Sequence, residues 1–146
     1  VKANLGKMPL AKLDQFFAAV SEAMTRTMGG SSGVLFAIFF SGASQAAAEG
    51  KNWQAALQAG LDKMMAYGGA KPGDRTMVDA LVPMLAALKV GGLAAAAKAA
   101  RSGANGTASM TRARAGRSSY VSAGNLKDIN DPGAEAIALL IEGLAS

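Results

Sequence analysis

Four short stretches of this 146-residue chain carry residue types that could do chemistry. The first, Gly29-Gly30-Ser31-Ser32-Gly33, offers exposed backbone N–H groups and two hydroxyls at the start of an apolar helical run, a physical recipe for holding a phosphate. The second, Lys71-Pro72-Gly73-Asp74-Arg75-Thr76-Met77, is a turn that also leads into a helix. The third, Ala113-Arg114-Ala115-Gly116-Arg117-Ser118-Ser119-Tyr120, puts two guanidinium groups and two hydroxyls on a loop, where arginine can pair with phosphate oxygens in a fork. Asp131-Pro132-Gly133 is the fourth. Taken singly, each also reads as a capping or turn device, and the first lacks the lysine of a Walker loop.

Composition narrows what these stretches could do. There is no Cys and no His, so disulfides, thiolate nucleophiles, Cys/His zinc sites and imidazole-based triads are excluded. Carboxylates, hydroxyls, Lys, Arg and backbone amides remain. The net charge is +5, and between Asp79 and Asp128 there is no acidic residue but seven basic ones, a distribution that attracts phosphate-bearing ligands. Tyr120 is the one aromatic side chain in that stretch, so no nucleic-acid partner is expected. The longest unbroken apolar run is Val34 to Phe40, far short of a bilayer span, and no signal-peptide hydrophobic region opens the chain; no membrane span and a cytoplasmic location are expected.

The elements that must position these residues read as helices. With 33 Ala and 18 Gly, the apolar content sits in small residues rather than β-branched ones, which argues against an all-β fold. Leu10, Leu13, Phe17, Val20, Met24 and Met28 predict an amphipathic helix near 9–28. A second helix follows, with Ser31 and Ser32 as candidate N-caps and Val34 to Phe40 apolar all round and so expected to be buried on most sides. A third starts near Asn52 with Trp53, Leu57, Leu61, Met64 and Met65 on one face and ends at Gly68-Gly69. A fourth, capped by Asp74, carries Met77, Ala80, Leu81, Met84, Leu85 and Leu88, with a kink and not a break expected at Pro83. The Ala-rich stretch from Leu93 reads as a tightly packed helix, and 113–127 as a loop. Asp131 at the N-cap and Pro132 at N1 open a last helix whose Ile137, Leu140, Ile141 and Leu144 are expected to face the core.

In this order, Met-Gly-Gly-Ser-Ser-Gly at 28–33, Pro-Gly-Asp-Arg-Thr-Met at 72–77, Ala-Arg-Ala-Gly-Arg-Ser-Ser-Tyr at 113–120 and Asp-Pro-Gly-Ala at 131–134 closely resemble the nucleotide-binding L domain of dihydroxyacetone kinases, from about Met24 to Leu144. The resemblance implies an all-α fold, an antiparallel barrel of helices with ATP or ADP bound among loops at one end. By similarity Ser31 and Ser32 lie beside the phosphates, Gly68 and Met77 contact the nucleotide, and Asp131, Pro132 and Gly133 form a nucleotide-contacting turn. Arg117 matches the loop arginine that meets the phosphates and is the catalytic residue the resemblance implies. The family's acidic Gly-Asp-Gly-Asp-type motif, whose aspartates hold Mg2+, does not occur in this sequence. Residues 1–146 are therefore expected to be one L-type domain, the C-terminal part of a larger kinase or a truncated subunit, with the Mg2+ ligands upstream of Val1 and none among its ten carboxylates. The implied partner is a K domain or K subunit that carries the ketose substrate. Two alternatives stay open: a subunit with retained ADP that is recharged by a phosphotransferase-system phosphoryl donor, and a non-catalytic helical interaction domain.

Overall fold

The computed structural model of the chain describes residues 9 and 11–146, so Leu10 lies outside the described residues, as does the side chain of Arg117. The helices are α1 (Leu13–Thr27), α2 (Gly30–Ala48), α3 (Trp53–Gly68), α4 (Val78–Gly106), α5 (Ala123–Leu126) and α6 (Pro132–Ala145), with 3-10 turns at Thr107–Ser109 and Arg117–Tyr120. No strand occurs among the described residues, and the fold class is all-α as expected. The chain divides into two compact units, Val1–Gly68 and Gly69–Ser146.

In the first unit three helices pack as antiparallel neighbours. The Ser21 hydroxyl donates to the Ala37 carbonyl (2.7 Å) and the Ser44 hydroxyl to that of Asp14 (2.8 Å), which fixes α1 against α2 in opposite directions. Phe17 buries against Ala43, Ala46 and Ala56, and its ring lies 6.2 Å from that of Phe40. Between α2 and α3 the backbones approach closely because small residues meet there: a Cβ on Gly60 would overlap the Phe39 carbonyl oxygen, and one on Gly42 would stand 3.1 Å from Gly60 Cα. That contact corrects the expectation for Val34 to Phe40. Phe39 is buried, but Val34 is 51% exposed and the residues between them are half-buried. The helix is held most tightly at Gly42, Ala43 and Ala46, beyond the apolar run, so the N-terminal half of α2 is less completely covered. Leu61 and Met64 of α3 are buried, whereas Trp53, at its first position, stays exposed.

In the second unit α4 is a hairpin of two helical arms, 78–91 and 93–106, folded at Gly92 (φ 68°, ψ −164°), a conformation open to glycine and closed to most other residues. The helix runs through Pro83 without a break, as expected, and breaks at Gly92 instead. Proline lacks the N–H that would bond the Asp79 carbonyl, and the second arm comes in against that carbonyl: a Cβ on Gly103 would overlap Asp79 O and lie 3.0 Å from Ala80 Cα. Ala96, Ala100 and Ala104 are fully buried, so the Ala-rich arm is the packed scaffold its composition suggested.

Asp131 caps α6 as predicted, accepting from the Ala134 amide (3.0 Å). Only Ala134, Ile137, Ala138 and Ile141 are buried on α6; Leu140 and Leu144 are 62% exposed, against expectation. At 100° per residue the buried stripe extends from Ile137 toward Ala138, and Leu140 and Leu144 lie on its other side, about 100° and 60° round the helix from Ile141. Beside the stripe, Arg101 grips two carboxylates, Glu135 from Nη1 at 2.7 Å and Glu142 from Nε at 2.7 Å and Nη2 at 2.8 Å. The segment read as a loop from 113 to 127 holds a 3-10 turn and the short α5.

Two helical stretches, Gly30–Ala48 and Val78–Ser109, are long and apolar enough to cross a membrane by length and composition alone. The second is broken at Gly92 into arms of roughly 20 Å each, short of the roughly 30 Å hydrocarbon layer.

Candidate functional site

The first unit places three of the candidate residues at one end of a helix pair. α2 starts two residues earlier than its serines suggested, because Gly30 takes a left-handed conformation (φ 71°) and Gly29 becomes the N-cap. Ser31 and Ser32 are therefore corrected from caps to first-turn residues, Ser31 exposed and Ser32 half-buried. No side chain caps this helix, unlike α3, where Asn52 accepts from the Ala55 amide. Its first-turn amides carry the positive end of the helix dipole. A Cβ on Gly33 would overlap the Met28 carbonyl, so the Gly-rich turn is folded tightly on itself. Gly68 ends the antiparallel α3, and a Cβ there would stand 2.9 Å from Leu35 Cδ2, one turn along α2 from Ser31. Ser31, Ser32 and Gly68 thus share one end of the α2/α3 pair.

The second unit gathers Met77, Asp131 and Gly133. A Cβ on Gly133 would lie 3.3 Å from Met77 Cβ and 3.0 Å from Asp131 Oδ2, so the start of α4 and the start of α6 touch at these residues. Met77 is buried, while Pro132 is exposed at the first position of α6. Asp131 is held from three sides besides its cap: its amide donates to Thr107 Oγ1 (2.7 Å), Ser118 Oγ donates to Oδ1 (3.2 Å), and Arg75 Nη1 faces Oδ1 at 3.8 Å. Through Ser118 the arginine-bearing loop is joined to the same turn. Arg117 begins the 3-10 turn at 117–120, and its guanidinium lies outside the described residues. Next to it, Arg112, Arg114 and Ser119 line an open groove of about 740 Å³.

The turn before α4 is more heavily wired than sequence reasoning foresaw. Asp74 is not the cap of α4: its carboxylate accepts the Lys71 amide (2.9 Å) and closes its own turn, while its carbonyl accepts the Arg114 amide (3.0 Å). The cap is a reciprocal pair, with Thr76 Oγ1 accepting from the Val78 amide (3.2 Å) and Asp79 Oδ2 from the Thr76 amide (2.8 Å). Asp79 Oδ1 also accepts the Gly73 amide (2.6 Å). The Thr-x-x-Asp spacing at 76–79 was the readable signal for this box. Nothing in the pattern pointed to Thr107, whose role depends on a contact 24 residues away.

The carboxylates around this turn do not fit a divalent cation. Asp74, Asp79 and Asp131 are each committed to backbone donors, and among the described residues no group of three or more His, Cys, Asp or Glu could hold a metal ion.

Against known proteins, the DAK2 domain family matches residues 1–146. The chain is 46% identical over 141 residues to a dihydroxyacetone kinase of Citrobacter freundii, covering 95% of this chain and 26% of that protein. It is 39% identical over 148 residues to the human triokinase/FMN cyclase, covering 93% and 25%. The native crystal structure of the C. freundii dihydroxyacetone kinase superposes with a TM-score of 0.81 at 41% identity, over 99% of this chain and 26% of that one. Its complex with AMP-PNP and Mg2+ gives 0.76 at 40% identity, over 98% and 25%. The chain spans about a quarter of the length of these relatives. With the family matched from end to end and the four junction motifs in place, the chain belongs to the DAK2 domain family.

Proposed function

We propose that this chain is the nucleotide-binding, L-type domain of a dihydroxyacetone kinase, working with a K domain or subunit that holds a small ketose, in the cytoplasm. The observation that carries the reading is the meeting of Met77 with the Asp131-capped turn at Gly133, which joins two of the four motifs at adjoining helix N-termini. A solved relative in complex with AMP-PNP and Mg2+ supports a nucleotide as the ligand. In this reading the uncapped first turn of α2 supplies amides and the Ser31 and Ser32 hydroxyls to the phosphates. Gly68 leaves room beside them. Met77 packs its thioether toward the base, and Asp131, Pro132 and Gly133 shape the turn that the nucleotide meets. Arg117 forks onto phosphate oxygens and stabilises the charge that develops as the terminal group moves. The chemistry is positioning and charge neutralisation, with no covalent step on this domain. Mg2+ would be held by residues outside the described set.

The Asp-Arg-Thr-Met wording at 74–77 favours ATP over a phosphotransferase-system donor. Calorimetric titration of the chain with ADP and AMP-PNP, with and without Mg2+, tests the assignment. Weak binding that Mg2+ does not strengthen is expected, and no ketose turnover without a K domain. Strong Mg2+-dependent binding would place metal ligands inside this chain, and no binding of either nucleotide would remove the reading.

A further inference from the structure

Arg75 is the most deeply buried charged side chain described, 1% exposed, and none of the four motif roles uses it. Its backbone takes φ 60°, a left-handed conformation unfavourable for a non-glycine residue. The side chain reaches 51 to 54 residues along the chain. Nη2 donates to the Ile129 carbonyl at 2.8 Å and to the Leu126 carbonyl at 3.3 Å, so it grips both ends of the segment that enters the Asp131 turn. Between those carbonyls Asp128 is the one other non-glycine residue described with a positive φ, 61°. Both sides of the tether are therefore held in unfavourable backbone geometry.

As a stability device this arrangement is poor. Nε and Nη1 have no hydrogen-bond partner among the described residues, and the one carboxylate facing them, Asp131, is 3.8 Å away and already occupied by Ala134 and Ser118. A buried guanidinium left partly unpaired loses more hydration than it recovers, although removing it alone would leave the Leu126 and Ile129 carbonyls without this donor and Asp131 without its facing charge. What the side chain does accomplish is geometric: it fixes where residues 126–131 run and sets a positive charge behind the Asp131 carboxylate.

We infer that Arg75 is a positioning residue for the nucleotide, setting the 131–133 turn from beneath through the Leu126 and Ile129 carbonyls and the facing Asp131 without touching the ligand. This rests on the nucleotide-binding reading above. The guanidinium orders the turn before the ligand arrives, so that less of the binding energy is spent on ordering it.

The test compares Arg75→Met and Arg75→Lys with the unaltered chain by ADP titration, melting temperature and amide hydrogen exchange at Asn130, Asp131, Gly133 and Ala134. The expected result for Arg75→Met is a lowered melting temperature in a chain still folded at the titration temperature, faster exchange concentrated at those amides, and ADP affinity about tenfold weaker, the scale of one charge-assisted hydrogen bond. Arg75→Lys, able to reach one carbonyl, should fall between. Folded variants with unchanged exchange and unchanged ADP affinity overturn the inference, as does a loss of stability that accounts for all of the lost affinity. Absence of ADP binding in the unaltered chain would sink the functional reading instead, and the exchange data would then decide the tether alone. Should neither variant fold, the nitrogen-15 spectrum of the Arg75 side chain in the unaltered protein decides. Resolved, slowly exchanging Nη protons that shift on adding ADP support it; a freely rotating, rapidly exchanging guanidinium overturns it.

Discussion

Asp131 shows how much one residue carries. Its carboxylate caps α6 and accepts Ser118, its amide is taken by a threonine hydroxyl that is itself fully buried, and an arginine faces it. Thr107→Val should therefore cost more than an ordinary surface change, because it keeps the shape but leaves the buried Asp131 amide without its acceptor. The expected loss is about 1 to 3 kcal/mol, and the melting temperature should fall by several degrees. A melting curve that superimposes on the unaltered one would show that the amide finds another partner. Arg117→Ala, by contrast, should leave the melting temperature alone and, in the presence of the K partner, slow ketose phosphorylation about ten- to a hundredfold. Arg117→Lys should rescue poorly, since a point charge does not reproduce the fork; unchanged turnover would end the catalytic assignment. At this scale the sequence was readable where an interaction is local. Asp131 followed by Pro132 announces a cap and an N1 position three residues from its donor. Thr107 and Arg75 act on residues 24 and more than 50 positions away, and no spacing rule reports that.

Among the elements, the same substitution has opposite consequences at two glycines of one helical arm. Alanine gains up to about 1 kcal/mol over glycine in an exposed helix position. At Gly106 (φ −58°) a Cβ meets nothing within 4 Å, so Gly106→Ala should stabilise by a few tenths to about 1 kcal/mol. At Gly103 it would overlap the Asp79 carbonyl, which is backbone and has no rotamer to escape into, so Gly103→Ala should destabilise by about 1 to 3 kcal/mol despite the better propensity. Chemical denaturation of the two variants gives the two signs directly; equal signs would mean that the hairpin of α4 is not closed as described. The two arms also explain what the periodicity did and did not reveal. Apolar spacing found the first arm and alanine-rich composition the second, but the fold between them at Gly92 was not foreseen. The structure tolerates Pro83 since its missing hydrogen bond frees the carbonyl that Gly103 approaches. Likewise α6 reads as broadly apolar, yet only the stripe of Ala134, Ile137, Ala138 and Ile141 is buried.

The clamp between α4 and α6 gives the second unit an acid-sensitive joint. Hydrogen bonds from Arg101 hold the Glu142 carboxyl below its ordinary range, and the same donor, helped by Asn130, does so for Glu135. Arg101 itself stays charged at every relevant pH. A carboxylate whose affinity for protons is lower in the folded chain contributes stability above its unfolded value, near 4.5, and loses that contribution as pH falls through the lower folded value. Melting temperature should thus hold level from neutral pH to about 5 and drop below it, and Arg101→Met should flatten part of that acid limb. An identical pH profile in Arg101→Met would show that other carboxylates carry the acid response.

On the scale of the whole molecule the sequence advertises charge, and the structure decides which charges a ligand can use. Of the seven basic residues between Asp79 and Asp128, Arg101 is spent on Glu135 and Glu142, whereas Arg112 and Arg114 are exposed along the groove beside the 117–120 turn. A positive face of this kind serves any polyphosphate, so the distinction between a nucleotide and a nucleic acid rests on what accompanies it. Strand-binding proteins interleave cations with stacking aromatics. Here Tyr120 stands alone, 90% exposed, with no second ring in the 80–127 stretch to continue a base stack. The expected behaviour is therefore that of a small anion site. ADP affinity should weaken several-fold between about 0.05 and 0.5 M salt, as the screening length shortens from roughly 14 Å to roughly 4 Å. Adenosine, which lacks the phosphates, should bind weakly and with almost no salt dependence. An oligothymidylate should compete with ADP poorly at about 0.15 M salt, since without stacking it has only screened backbone contacts to offer. Displacement of ADP by the oligonucleotide at that ionic strength, with a steeper salt slope than the nucleotide's own, would assign the basic face to nucleic acid and withdraw it from the phosphoryl-transfer site.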